Sequence, residues 1–217
     1  GGSAPEGIPE YGPEAAYLIL DMYESWRVGV PSVDFSAPMQ FFARYTLDMT
    51  MHSTIPYYVQ GTYNKLYRPF QYRDVLHIST PYHGMFQIYQ RLMIGRLWWY
   101  FRQSGDTTRR DYAQFWSREI DPGQLLQSPP SSYDAVAPER PFLWQDPDAT
   151  GVDYRTQGLP KYYTTPSMLL ERSDWTTSAD YFGIFSMISA ADHMHGDDGT
   201  FSILRGGKWL TKEVPGY

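Results

Sequence analysis

Thr200-Phe201-Ser202-Ile203-Leu204-Arg205-Gly206-Gly207-Lys208-Trp209-Leu210-Thr211-Lys212 reads as two short strands joined by a two-residue turn. A type I′ turn needs positive φ at both central positions, which glycine adopts without steric cost, so Gly206-Gly207 is a strong hairpin signal. Working backwards, Tyr181–Ile188 and Met168–Arg172 are further β runs. Residues 121–160 carry Pro122, Pro129, Pro130, Pro138, Pro141, Pro147 and Pro160 among Ser, Asp and Gly, a poor helix and a poor strand.

Upstream the pattern turns helical. Pro13 sits in a natural first turn with Glu14 beside it, and Ala15, Leu18 or Ile19, Met22 and Trp26 fall on one face before Gly29 and Pro31. Ser36 caps a second helix with Pro38 in its first turn and a stripe of Met39, Phe42, Thr46 and Met49. Pro56 to Arg73 reads as a long, packed connection. From Tyr82 to Gln103, Phe86, Tyr89, Met93, Leu97 and Tyr100 form one stripe while Ile88, Ile94 and Trp98 lie off it, as in a helix buried between neighbours. A shorter helix spans Thr108 to Glu119. Helices first and strands afterwards argue for segregated parts: 1–120 helical, 121–160 linker, 161–217 β.

With 19% charged and 17% aromatic residues, including 19 Tyr and 7 Trp, the 217-residue chain is not of disordered composition. Rings with a polar edge suit the apolar face and hydroxyl rim of a sugar, although any single ring is more often core. A net charge of −6 argues against nucleic acid and against highly sulfated polyanions, leaving mildly anionic partners. There are no cysteines, hence no disulfide and no thiol chemistry. No apolar run approaches a membrane span. With neither initiator Met nor signal peptide, the ends read as cut.

Chemistry concentrates in Asp192-His193-Met194-His195-Gly196-Asp197-Asp198-Gly199. Two His at i and i+2 on an extended strand point to one face, so both imidazoles can meet one ion or one substrate. If the glycine hairpin turns the chain back, Glu213 returns near the strand that follows His195, and a carboxylate commonly completes such a site. The bland alternative is a surface His pair beside acidic turn residues. A cupin-type site also uses His-x-His but wants a Glu a few residues on, where this chain has Gly199 and Thr200.

Together, Arg172-Ser173-Asp174-Trp175, the run Tyr181–Met187, His193-Met194-His195-Gly196-Asp197-Asp198-Gly199-Thr200-Phe201, the glycine hairpin, and Val214-Pro215-Gly216-Tyr217 resemble the C-terminal core of the heparinase II/III-like polysaccharide lyases. Pro5-Glu6-Gly7 followed by Tyr11-Gly12 is similar to that family's entry to a toroid helix. The likeness touches both ends and only weakly the stretch 30–155.

The resemblance implies an α+β multidomain fold, part of an (α/α) toroid followed by the start of an antiparallel β-sandwich. It implies cleavage of a uronate-containing polysaccharide by β-elimination. Tyr11 matches the catalytic Tyr, with Tyr17 as its rival and a substrate contact. His193 matches the His facing substrate, and Glu6 steadies the loop before Tyr11. His195 and Glu213 match zinc ligands, Glu213 standing where the family usually has Asp; the zinc mainly stiffens the site. Arg172 faces a uronate or sits on a sheet surface. A carboxylate-neutralising pair is expected before residue 1 and a further His ligand after residue 217, so the 217 residues alone are expected to turn over little. The partners implied are an anionic polysaccharide or oligosaccharide and, for the complete protein, a second copy; the location is periplasmic or secreted. The competing readings are a non-catalytic carbohydrate-binding or scaffold protein of the same fold, and a cupin-like metalloenzyme.

Overall fold

The computed structural model describes residues 12–59, 63–69, 84–120, 146, 148–165, 168–176, 178–186, 199–206 and 208–211. Helix α1 runs Gly12–Gly29 and α2 runs Ser36–Ser53. Strands β1 (Thr54–Val59) and β2 (Tyr63–Pro69) follow, then α3 (Gly84–Ser104) and α4 (Thr107–Phe115), which passes into a π-helical turn, Trp116–Ile120. After a single 3-10 turn at Tyr154–Thr156 come β3 (Tyr162–Thr165), β4 (Met168–Arg172), β5 (Tyr181–Phe185), β6 (Thr200–Arg205) and β7 (Lys208–Thr211). The class is α+β.

The chain divides into two compact units. One comprises 13–47 and 79–153, the other 1–12, 48–78 and 154–217.

In the first unit α3 is apolar on most sides, as its sequence asks. Leu92, Met93, Ile94, Leu97, Trp98 and Phe101 are all buried, each contributing about 1.5–3 kcal/mol relative to exposure. Ala16, Tyr17 and Leu20 of α1 join this core. Asp21 pairs with Arg96 of α3, and the Tyr23 and Tyr100 rings meet edge to face at 5.9 Å. The face made by Ala15, Leu18, Ile19, Met22 and Trp26 is turned outward. Amphipathic spacing shows that a helix has an apolar face, not which partner covers it. Asp106 caps α4, its carboxylate accepting the Arg109 backbone N–H at 3.3 Å and the Arg44 guanidinium at 3.1 Å. Residues 146–152 cross α4. Gln114 donates its amide to the Asp146 and Ala149 carbonyls, and the Val152 N–H donates to Asp111 O at 3.1 Å.

In the second unit β3 to β7 form a five-stranded antiparallel meander in sequence order. Alternation puts one face inward: Met168, Leu170 and Arg172 of β4, Tyr181, Gly183 and Phe185 of β5, Ser202 and Leu204 of β6. The register stacks Tyr163, Leu170, Gly183 and Ser202 in one row across four strands. The expected hairpin is present, with Arg205 opposite Lys208 and Gly206 at φ +54°. Three strands escaped the sequence reading. β3 lies just past Pro160, and the supposed connection at 56–73 contains the antiparallel pair β1 and β2. Proline is tolerated in edge strands, so Pro56 and Pro69 did not preclude pairing. Among the described residues no helix is long and apolar enough to cross a membrane.

Candidate functional site

Phe185, the end of β5, is the register partner of Thr200, the start of β6. The Gly199 N–H donates to Phe185 O at 3.0 Å and closes the base of the excursion between them. The stretch that carries His193 and His195 thus departs from and returns to one end of the sheet. β7 runs antiparallel to β6, with Thr211 opposite Ile203, and heads toward that same end. His193, His195, Glu213, Tyr11 and Glu6 themselves lie outside the described residues.

Arg172 is inside, not on a sheet surface. It is 6% exposed, third in β4 on the inward face. Its Nη2 donates to His52 O at 2.6 Å and to Thr54 O at 3.0 Å. The guanidinium lies 4.3 Å from the Trp175 ring centroid and 5.3 Å from that of Tyr181. Carbonyls at a helix C-terminus lack intrahelical donors and carry the negative end of the dipole. A planar, delocalised cation fits both demands, hydrogen-bonding at its edge while its faces meet rings. Burial pushes Arg172 below its ordinary value, with the Tyr181 and Tyr154 hydroxyls opposing. Tyr17 is likewise a core residue, at 2% exposure.

His52, which spacing offers no reason to couple to Arg172, joins this cluster. Its Nδ1 lies 2.7 Å from Asp48 O and its Nε2 3.0 Å from Pro160 O. The ring stacks on Tyr163 and meets Trp175 edge-on, while the Tyr181 hydroxyl donates to His52 O at 3.0 Å. A neutral imidazole carries one N–H and can donate to only one of the two carbonyls; the cation can donate to both. Burial, the largest influence, nonetheless pushes His52 below its ordinary value, and the Arg172 charge adds to it against the pull of the carbonyls.

The sign follows directly. The unfolded chain, with an imidazole near its usual value of about 6.5, takes up a proton first on acidification. The His52 contribution is complete above about pH 6.5 and is lost as pH falls through the lower folded value. The thermal midpoint is expected to drop between about pH 7 and pH 5, and His52→Gln to be less stable throughout but to drop less. Equal drops in the two proteins would assign the titration to other groups.

The described tyrosines with displaced acidity all move upward. Burial raises Tyr181 and Tyr23 and pushes Tyr100 up to about 12, away from what a base for carbon acids requires. Among the described residues no group of three His, Cys, Asp or Glu side chains is placed to hold a metal ion. Compared with family models, curated proteins and solved structures, the chain matches none.

Proposed function

We propose that this chain is part of a polysaccharide lyase of the heparinase II/III type that cleaves uronate-containing polysaccharide by β-elimination. The observation that carries the reading is the end of the sheet at which Phe185 and Thr200 pair. The His-x-His stretch departs and returns there, and the strand after the glycine hairpin runs back toward it. On this reading the helical unit is a portion of an (α/α) toroid and the meander is the start of a β-sandwich. The location is periplasmic or secreted.

The chemistry assigns the roles. A base removes the proton at C5 of the uronate, the electron pair forms the C4–C5 double bond, and the C4–O4 bond breaks as an acid delivers a proton to O4. The intermediate charge needs neutralisation of the adjacent carboxylate. Tyr11 serves as base or acid, His193 faces the reacting sugar, and Glu6 steadies the loop before Tyr11. His195 and Glu213 would hold a zinc ion whose part is to stiffen the site. Arg172 and Tyr17 are left out of the substrate contacts, because one is spent on backbone carbonyls and the other is core.

The test uses the complete protein that carries this stretch, on uronate polymers, following the ultraviolet absorbance of the new double bond. Tyr11→Phe and His193→Ala are each expected to lower turnover roughly 10²–10⁴-fold, the usual range for a positioned acid or base. Unchanged turnover would remove those residues from the mechanism. Saccharide binding without turnover in the unsubstituted protein would replace the lyase by a binding module of the same fold.

A further inference from the structure

We propose that the helical unit carries a binding site for a uronate sugar residue where Tyr23 and Glu24 of α1, Arg44 of α2 and Tyr100 of α3 meet. The proposal concerns capture and not bond cleavage, so it holds for a lyase and for a binding module alike.

Three helices bring these groups together, and the start of α4 backs them. The Tyr23 and Tyr100 rings meet edge to face at 5.9 Å. Burial and the Tyr23 hydroxyl raise the Tyr100 phenol, the Arg44 charge opposes, and Glu24 and Asp106 add to the rise, so all four side chains face the same hydroxyl. Tyr100 is only 5% exposed. Yet neither its hydroxyl nor that of Tyr23 hydrogen-bonds to any described residue. Buried polar groups are rarely left idle. The tip of Tyr100 keeps an opening to solvent, so what serves it comes from outside the chain.

The unspent atoms narrow the ligand. Asp106 is saturated: Oδ1 accepts the Arg109 backbone N–H, and Oδ2 accepts Arg44 Nε and Nη2 and Arg109 Nη1. Arg44 therefore keeps its Nη1 edge, on a side chain 41% exposed. Glu24 gives Oε2 to both Nε and Nη2 of Arg27 and keeps Oε1. Both phenols are neutral and can donate as well as accept. The set thus offers one cationic edge, two hydroxyls and one carboxylate oxygen. A neutral sugar would leave the cation unmatched. A bare acid would leave Glu24 Oε1 without a donor. A uronate meets both, its carboxylate against Arg44 and a phenol, its ring hydroxyls donating to Glu24.

The test is saturation-transfer NMR on the 217-residue chain with glucuronate, glucose and acetate. A monosaccharide has no glycosidic bond to eliminate, so the outcome is separate from turnover. Glucuronate is expected to bind with a Kd on the order of 1 mM, as suits so small a ligand. Glucose and acetate should each bind at least about tenfold more weakly. Tyr100→Phe removes one oxygen and should weaken glucuronate at least about tenfold, with Tyr23→Phe acting in the same direction. The thermal midpoint of Tyr100→Phe should stay within about 2 °C of the parent, because the hydroxyl serves nothing in the fold. No transfer at about ten times the expected Kd would overturn the proposal. So would glucose or acetate binding as tightly as glucuronate, or Tyr100→Phe binding like the parent. A midpoint lowered by more than about 5 °C would give the hydroxyl a structural role and overturn it too.

Discussion

Arg172→Met is expected to lower the stability of the sheet-containing unit by about 3 kcal/mol, read from urea unfolding. Methionine keeps most of the apolar stem between Trp175 and Tyr181 but removes the donor shared by His52 O and Thr54 O. A buried carbonyl left short of a donor costs about 1–3 kcal/mol, and the lost cation–ring contact adds about 1–2 kcal/mol. Against this, the unfolded chain no longer surrenders a hydrated guanidinium, which returns part of the loss. The Tyr181 hydroxyl still serves His52 O, which limits the loss there. Arg172→Lys separates charge from geometry. It restores a cation but not the planar edge that reaches two carbonyls, and should fall between the two. A methionine variant within about 0.5 kcal/mol of the parent would mean that the guanidinium is decoration.

That cluster also marks where sequence reading stopped. The meander was legible because inward and outward residues alternate through β4, β5 and β6 and because Gly206-Gly207 admits the turn. α3 was legible from apolar residues on nearly every side. The outward face of α1 was not, because spacing alone cannot say whether Leu18 and Met22 or Tyr17 and Leu20 meet the core. The decision rests on contacts with α3, through Asp21–Arg96 and Tyr23–Tyr100, that lie about 75 residues away in sequence. β1 and β2 were hidden by prolines that only exclude a central strand. His52 and Arg172 meet across 120 positions, and nothing local to either announces the other. For the candidate site, the sequence foresaw a hairpin returning toward the His-x-His stretch, and β7 has that heading. Whether the imidazoles and Glu213 converge is a matter of side-chain direction, which periodicity proposes and does not fix.

Gly151→Ala is expected to cost about 3–5 kcal/mol in the helical unit, far more than a methyl group would suggest. Gly151 sits at φ +75°, where an L side chain is strained, a penalty of about 1–2 kcal/mol by itself. The larger part is steric and concerns backbone. A Cβ there would stand 2.6 Å from Asp111 O, 2.8 Å from Phe115 Cα and closer still to Phe115 N. None of these atoms can rotate away. Either residues 146–152 lift off α4 or α4 gives way, and lifting forfeits the Val152 bond to Asp111 O together with the Gln114 and Arg118 bonds to Ala149 O. Gly105 supplies the control within the same unit. Its φ is +77°, yet a Cβ there meets nothing within 4 Å. Gly105→Ala should therefore show the conformational penalty alone, about 1–2 kcal/mol. The difference between the two variants measures the close crossing, and equal losses would show that the crossing yields without cost.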